Sequence, residues 1–111
     1  ETTNLADLCT DLITRLRDHY AIPTRLVRAS ELEATGSASE LLAAVTAELG
    51  GNVYLSGPSG RSYLDESVFA ERGIALDYHS FTPTPYPQPH GDFAGGLSML
   101  DHLVSGADPW W

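Results

Sequence analysis

The chain has no lysine; its 6 basic side chains are all arginine. A Schiff-base nucleophile and a phosphate-loop lysine are therefore excluded within these residues. Positive charge is scarce as well as narrow in type: 6 basic residues stand against 15 acidic ones, for a formal charge of -9. A protein that grips a phosphate backbone needs clustered Lys and Arg, so nucleic acid is excluded as a partner on charge. The single cysteine, Cys9, cannot form an internal disulfide or a CxxC motif. One cysteine fits a reducing, cytoplasmic compartment. No apolar run approaches the ~20 residues of a membrane helix, so no membrane association is expected. The opening residues are polar and acidic, unlike a secretory signal. There is no initiator Met, so the chain is expected to begin inside a longer protein.

What is present is an ordinary globular composition. The 111 residues are 42% hydrophobic and 9% aromatic, enough for one domain with its own core and no disulfide or metal staple. Leu5, Leu8, Cys9, Leu12, Ile13 and Leu16 recur at three- and four-residue steps, which predicts a helix with that stripe buried and Cys9 packed within it. Asn4 or Thr3 can cap its start, and Pro23 closes the segment. Arg25–Ala29 is short and β-compatible. A second helix follows, with Ser37 and Glu40 at capping-box spacing, Leu41, Leu42, Val45 and Leu49 as its buried stripe, and Gly50-Gly51 at its end. Asn52–Ser56 reads as a strand. Ser62–Gly73 carries a short helix, and Ile74–His79 reads as another strand.

Strands separated by helical crossovers imply parallel pairing. The expected fold is α/β: a three-layer, Rossmann-like parallel sheet of about three strands with flanking helices, part of a larger α/β domain. Pro83, Pro85, Pro87 and Pro89 then forbid a central strand. A last helix is expected over Leu97–Val104, ahead of the terminal Trp110-Trp111.

In such sheets ligands bind beyond the carboxyl ends of the strands. Two segments fall at that edge. The first is Ser56–Asp65, where Gly57 and Gly60 permit tight backbone geometry, backbone amides attract an anion, and Arg61 adds a bidentate clamp. Its spacing is neither a Walker loop nor GxGxxG, and it reads equally as a plain βα turn with Ser62 as N-cap. The second is Phe81–Phe93, where prolines pre-order a loop that presents Tyr86, Gln88 and His90. It reads equally as a rigid wrap over a sheet edge. His79 ends a strand and is the best general-base candidate. Asp65 is a second proton acceptor, or simply an acid that favours its helix dipole. His79, His90 and His102 lack zinc-helix spacing, so no metal is expected.

The run YLSGPSGRSYLDESVFAERGIALDYHSF, then YPQPHGDF, then LSMLDHL resembles the C-terminal half of the WbqC-like family, and the similarity extends back through TRLVRASEL and the first helix. The resemblance implies bacterial polysaccharide or secondary-metabolite biosynthesis, with transfer of an acyl or aminoacyl (glycyl-type) group to an amino group of an amino sugar or carrier-linked substrate. It adds Ser56, Tyr63 and Asp101 to Gly57, Gly60, Arg61, Tyr86 and Gln88 as substrate-binding residues, beside Asp65 and His79 as catalytic ones. No cofactor is implied. The family's opening HQPxYLPWxGYF-type segment is absent here, so an N-terminal half or another protein chain is expected to complete the site. The family's Lys-His pair after Phe81 is Thr82-Pro83, and its terminal Asn-Cys pair is Ser105-Gly106. Those departures weaken acid/base chemistry at that loop and argue against a thioester nucleophile. They also admit a different function, a non-catalytic docking module anchored through its acidic surface or Trp110-Trp111.

Overall fold

Asn4 opens α1 (Leu5–His19) as the sequence predicts: its side chain accepts the Ala6 N–H at 2.9 Å. The computed structural model describes residues 4–106, so Trp110 and Trp111 lie outside the described residues. The chain forms two compact units, one running from Val27 to Phe81 and one made of the flanking segments up to Leu26 and from Thr82.

In the Val27–Phe81 unit, α2 (Ala38–Glu48) leads through Gly50, at φ 73°, into β1 (Val53–Ser56). A 3-10 turn (Pro58–Ser62) and α3 (Glu66–Ala70) then cross back to β2 (Ala75–Tyr78). The strands pair in parallel, Val53 with Ala75 through Ser56 with Tyr78. Alternation puts Tyr54, Ser56, Leu76 and Tyr78 on one face. Against that face pack Ala43 of α2 and Phe69 of α3, joined by Ile74 and ringed by Leu42, Leu64 and Val68. Phe69 is fully buried, with its ring 5.2 Å from that of Tyr54. On the opposite face Val53 is 49% and Leu55 61% exposed among the described residues.

Three sequence expectations are corrected here. Arg25–Ala29 forms no strand; Arg28 has extended torsions but leads into a 3-10 turn, Ala29–Glu31, so the sheet has two strands. Extended torsions are shared by strands and coil, and pairing is decided by distant residues. Helix α2 turns the small residues Ser39, Ala43 and Thr46 inward, while Leu49 is exposed, and Ser37 makes no capping bond through its side chain. Leu42 of the expected stripe still packs against the core, beside Ala43.

The other unit holds α1 and α4 (Met99–Val104), the latter capped by Ser98 Oγ accepting the Leu100 N–H at 3.0 Å. Here the third correction falls. No residue of α1 is buried, Leu5 is 73% exposed, and Cys9 is exposed too. The stripe is amphipathic as read, but of its six residues Leu16 alone is half-buried and the rest are exposed. Among the described residues no helix is long and apolar enough to cross a membrane.

The two kinds of apolar surface respond differently to mutation. Phe69→Ala should cost about 3–5 kcal/mol in urea unfolding. Leu55→Asp, on the exposed sheet face, should stay within about 0.5 kcal/mol.

Candidate functional site

Parallel strands bring their carboxyl ends to one edge, and there the chain leaves β1 at Ser56 and β2 at Tyr78. The His79 N–H donates to the Ser56 carbonyl at 3.0 Å, which continues the ladder past β2. Ser56 is 5% exposed and its hydroxyl donates to the Gly57 carbonyl at 3.1 Å. Any Cβ on Gly60 would overlap that hydroxyl and press on Leu64 Cδ1 at 3.0 Å. Glycine is therefore required at position 60 by close packing rather than by an unusual φ. The His79 ring runs beside Gly57, where an added Cβ would meet Nε2 at 3.8 Å.

This tight turn carries Arg61 back over the sheet end. Its guanidinium carbon lies 4.1 Å above the centroid of the Tyr78 ring. Among the described residues no carboxylate is within ion-pair distance of Arg61, whereas Arg15 and Arg17 are paired with Asp11 and Asp18. An exposed guanidinium fixed by an aromatic face keeps its fork of donors for an external anion. The Tyr78 hydroxyl donates to Glu66 Oε1 at 3.4 Å. Burial, followed by the nearby Glu66 charge, holds the Tyr78 phenol above the ordinary range. Tyr63 is 67% exposed beside this group.

The sequence-predicted residues Ser56, Gly57, Gly60, Arg61 and His79 are thus brought together, but two of the expected chemical roles meet competition. The Gly60 N–H donates to the Gly57 carbonyl at 3.0 Å and is already spent. Of the backbone amides expected to attract an anion, that of Gly60 is used inside the 3-10 turn. Asp65 is the N-cap of α3, in place of Ser62. Its Oδ1 accepts the Ser67 hydroxyl at 2.6 Å and the Ser67 N–H at 3.0 Å. The hydroxyl and then the amide hold the Asp65 carboxyl below its usual range, which favours the anion and opposes proton uptake. The Asp65 N–H in turn donates to the buried Ser39 hydroxyl at 2.9 Å, which ties α3 to α2.

Tyr86, Gln88 and Asp101 belong to the other unit, where they also meet. The Tyr86 hydroxyl donates to Asp101 Oδ2 at 2.5 Å, and Gln88 Nε2 reaches the same oxygen at 3.1 Å. The Gln88 amide further pairs with both backbone groups of Ala94, at 2.8 and 3.2 Å, pinning the loop that bears exposed His90. Behind them His102, 3% exposed, packs edge-on to Tyr86, and its Nδ1 lies 3.1 Å from the Tyr20 hydroxyl. The bond to Asp101, then burial, raises the Tyr86 phenol above its ordinary range. The same unit has an open apolar recess of about 370 Å³, lined by Ile13, Leu16, Tyr20, Ile22, Leu26 and Met99 among others. Among the described residues no group of three or more His, Cys, Asp and Glu is placed to hold a metal.

Sequence reasoning missed Glu66, Tyr78, Tyr20 and the buried role of His102. Tyr78 and Glu66 were visible as a strand-end aromatic and the acid after Asp65. Nothing local signalled that Tyr20 and His102 pair across 82 positions.

The model of the WbqC-like protein family matches residues 1–108. The chain is 36% identical over 106 residues to the uncharacterized protein Rv1507c of Mycobacterium tuberculosis; the match covers 93% of this chain and 45% of that protein. The chain thus spans under half the length of this relative. No solved structure matches.

Two substitutions test the geometry. Gly60→Ala should destabilise by roughly 1–3 kcal/mol through overpacking, and adding Ser56→Ala should recover part of the loss, a coupling that a thermodynamic cycle measures. Asp101→Asn should return the Tyr86 phenol toward its ordinary range, read from tyrosinate absorbance. Folding raises the Tyr86 pKa, so its contribution is complete below the ordinary phenol range and is lost as pH rises through the raised value. In Asp101→Asn that alkaline loss should shrink.

Proposed function

The chain belongs to the WbqC-like protein family, and on that premise we propose that it is part of an enzyme that transfers an acyl or aminoacyl group, glycyl in type, to an amine. The acceptor is an amino sugar or a carrier-linked substrate bearing an anionic group, in polysaccharide or secondary-metabolite biosynthesis. The observation that carries this reading is Arg61: an exposed guanidinium seated on Tyr78 at the carboxyl edge of a parallel strand pair, with no carboxylate partner among the described residues. That edge is where open α/β folds bind ligands.

In the proposed reaction the amine nitrogen attacks the carbonyl carbon of an activated acyl donor, the C–N bond forms, the bond to the leaving group breaks, and the amine proton passes to a protein base. His79, exposed beside Gly57, is favoured for that proton over Asp65, whose carboxylate is engaged by Ser67. Arg61 is proposed to hold the anionic group, and Tyr63 to offer an exposed ring against the substrate. Ser56, Gly57 and Gly60 shape the turn that aims Arg61. Tyr86, Gln88 and Asp101 are proposed as a preassembled polar group for substrate contact through Asp101, to which Tyr86 and Gln88 already point their donors. No cofactor is needed for this chemistry, and a cytoplasmic setting goes with it. The reading of residues 1–111 as one α/β domain forming the C-terminal half of a longer protein, completed by an N-terminal half or another chain, is part of the same proposal.

A second reading is favoured by one observation of its own. The apolar stripe of α1 and the Val53–Leu55 sheet face are exposed, as expected of a docking module that completes or regulates a partner enzyme.

The test is made in the full-length native protein. Arg61→Ala should weaken binding of a nucleotide-linked amino sugar roughly tenfold to a hundredfold, the range of a charge-assisted hydrogen bond. Amide formation, followed by mass spectrometry with an activated glycyl donor, should fall with it. Unchanged binding and unchanged product in Arg61→Ala would overturn the assignment of the anion site to Arg61, and no product from the wild type would overturn the enzyme reading. Product formation by the wild type would remove the purely docking one.

A further inference from the structure

One aromatic ring at this edge carries opposite charges on two sides. Arg61 lies over the face of Tyr78, and the hydroxyl of the same ring points at Glu66. We propose that Glu66, at the hydroxyl end of the Tyr78 ring whose face carries Arg61, is the carboxylate that receives the acceptor amine of the anion held by Arg61. The inference rests on the reading of this edge as an anion site and adds to it the group that selects an amine-bearing anion.

Neighbouring carboxylates are separated by their commitments. Asp65 faces its own helix start and accepts twice from Ser67. Glu66, one residue on, has a different task because the helix has turned it toward the strand end. Its only hydrogen bond among the described residues is the one from Tyr78, at 3.4 Å. That is long for an O–H···O contact, whose usual range ends near ~3.0 Å. Exchanging it for a short bond from an ammonium therefore gives up little and gains a charge-assisted pair. The phenol, held protonated by burial and by Glu66 itself, stays a neutral donor and does not compete as an anion. Glu66 is exposed, so a ligand reaches it without rearrangement of the core. The ligand class that satisfies both charges carries a phosphate or other anion for the guanidinium fork and an amine a few bonds away for the carboxylate.

Two sugars that differ only at one position make the test. Full-length protein is titrated calorimetrically with glucosamine 1-phosphate, which has an amine, and glucose 1-phosphate, which has a hydroxyl in its place. Wild type should prefer the amine sugar by roughly tenfold, the worth of one charge-assisted bond. Glu66→Gln should abolish that preference by weakening glucosamine 1-phosphate, while glucose 1-phosphate binds at least as tightly as to wild type, because glutamine keeps an oxygen for the Tyr78 hydroxyl and removes a repelling charge. Arg61→Ala should weaken both sugars. Equal affinity of wild type for the two sugars, or a preference that survives in Glu66→Gln, overturns the Glu66 inference while the anion site stands. If neither sugar binds wild type, the anion-site reading itself falls and the inference falls with it.

Discussion

The turn after β1 depends on a single close approach: the Ser56 hydroxyl fills the space that a side chain at Gly60 would need. Because both residues are buried, the 3-10 turn has one way to lie against the strand end. That placement sends Arg61 over Tyr78 rather than outward into water. It also starts the path to α3, whose N-cap, Asp65, is held through its N–H to Ser39 of α2. A buried hydroxyl that finds an acceptor stabilises modestly, but one displaced by a Cβ would lose its partner and its space together. The geometry of the edge therefore follows from packing beneath it, and the charged groups above take positions that packing has already set.

The distribution of apolar surface describes a structure covered on one side. Two helices shield the Tyr54–Leu76 face of the sheet, and the Val53–Leu55 face has no cover among the described residues. Parallel sheets are usually buried on both faces. In the other unit α1 presents an apolar stripe of the kind that helices bury. The relative in Mycobacterium tuberculosis is more than twice as long as the region it shares with this chain. These facts bear on the same physical need, burial of apolar area, and they give the docking reading its weight beside the enzymatic one.

Local signals were legible in the sequence and non-local ones were not. The Asn4 cap, the glycine stop at Gly50, a last helix within Leu97–Val104, observed as Met99–Val104, and the parallel pairing of the two later strands all follow from spacing and crossover length. The third strand failed because β-compatible residues at Arg25–Ala29 had no partner to pair with, which no local pattern reveals. The leucine stripe of α2 is borne out only in part: Leu42 packs against the core, but the buried positions of the helix are Ser39, Ala43 and Thr46, and Leu49 is exposed. At the site, residue types were readable and commitments were not. The Asp65 carboxylate is engaged by Ser67, and both ends of the Gln88 amide are bonded to Ala94, which residue type alone does not reveal.

Charge gives the last constraint on what this edge can bind. The chain carries a formal charge of -9, so a bare polyanion approaching it meets net repulsion. Screening confines that repulsion to within a Debye length of about 8 Å at physiological salt, but the edge holds an acid of its own, Glu66, 3.4 Å from the Tyr78 hydroxyl. One guanidinium is a weak answer to such a field if the ligand offers only negative charge. A ligand that also carries an amine changes the balance, because each of its charges meets the opposite sign and its net charge is smaller. Glu66, which would repel a bare phosphate held by Arg61, becomes an attractive contact for the amine. On this surface discrimination therefore comes from repulsion as well as attraction: the same carboxylate that rewards an amine-bearing anion penalises the anion that lacks one.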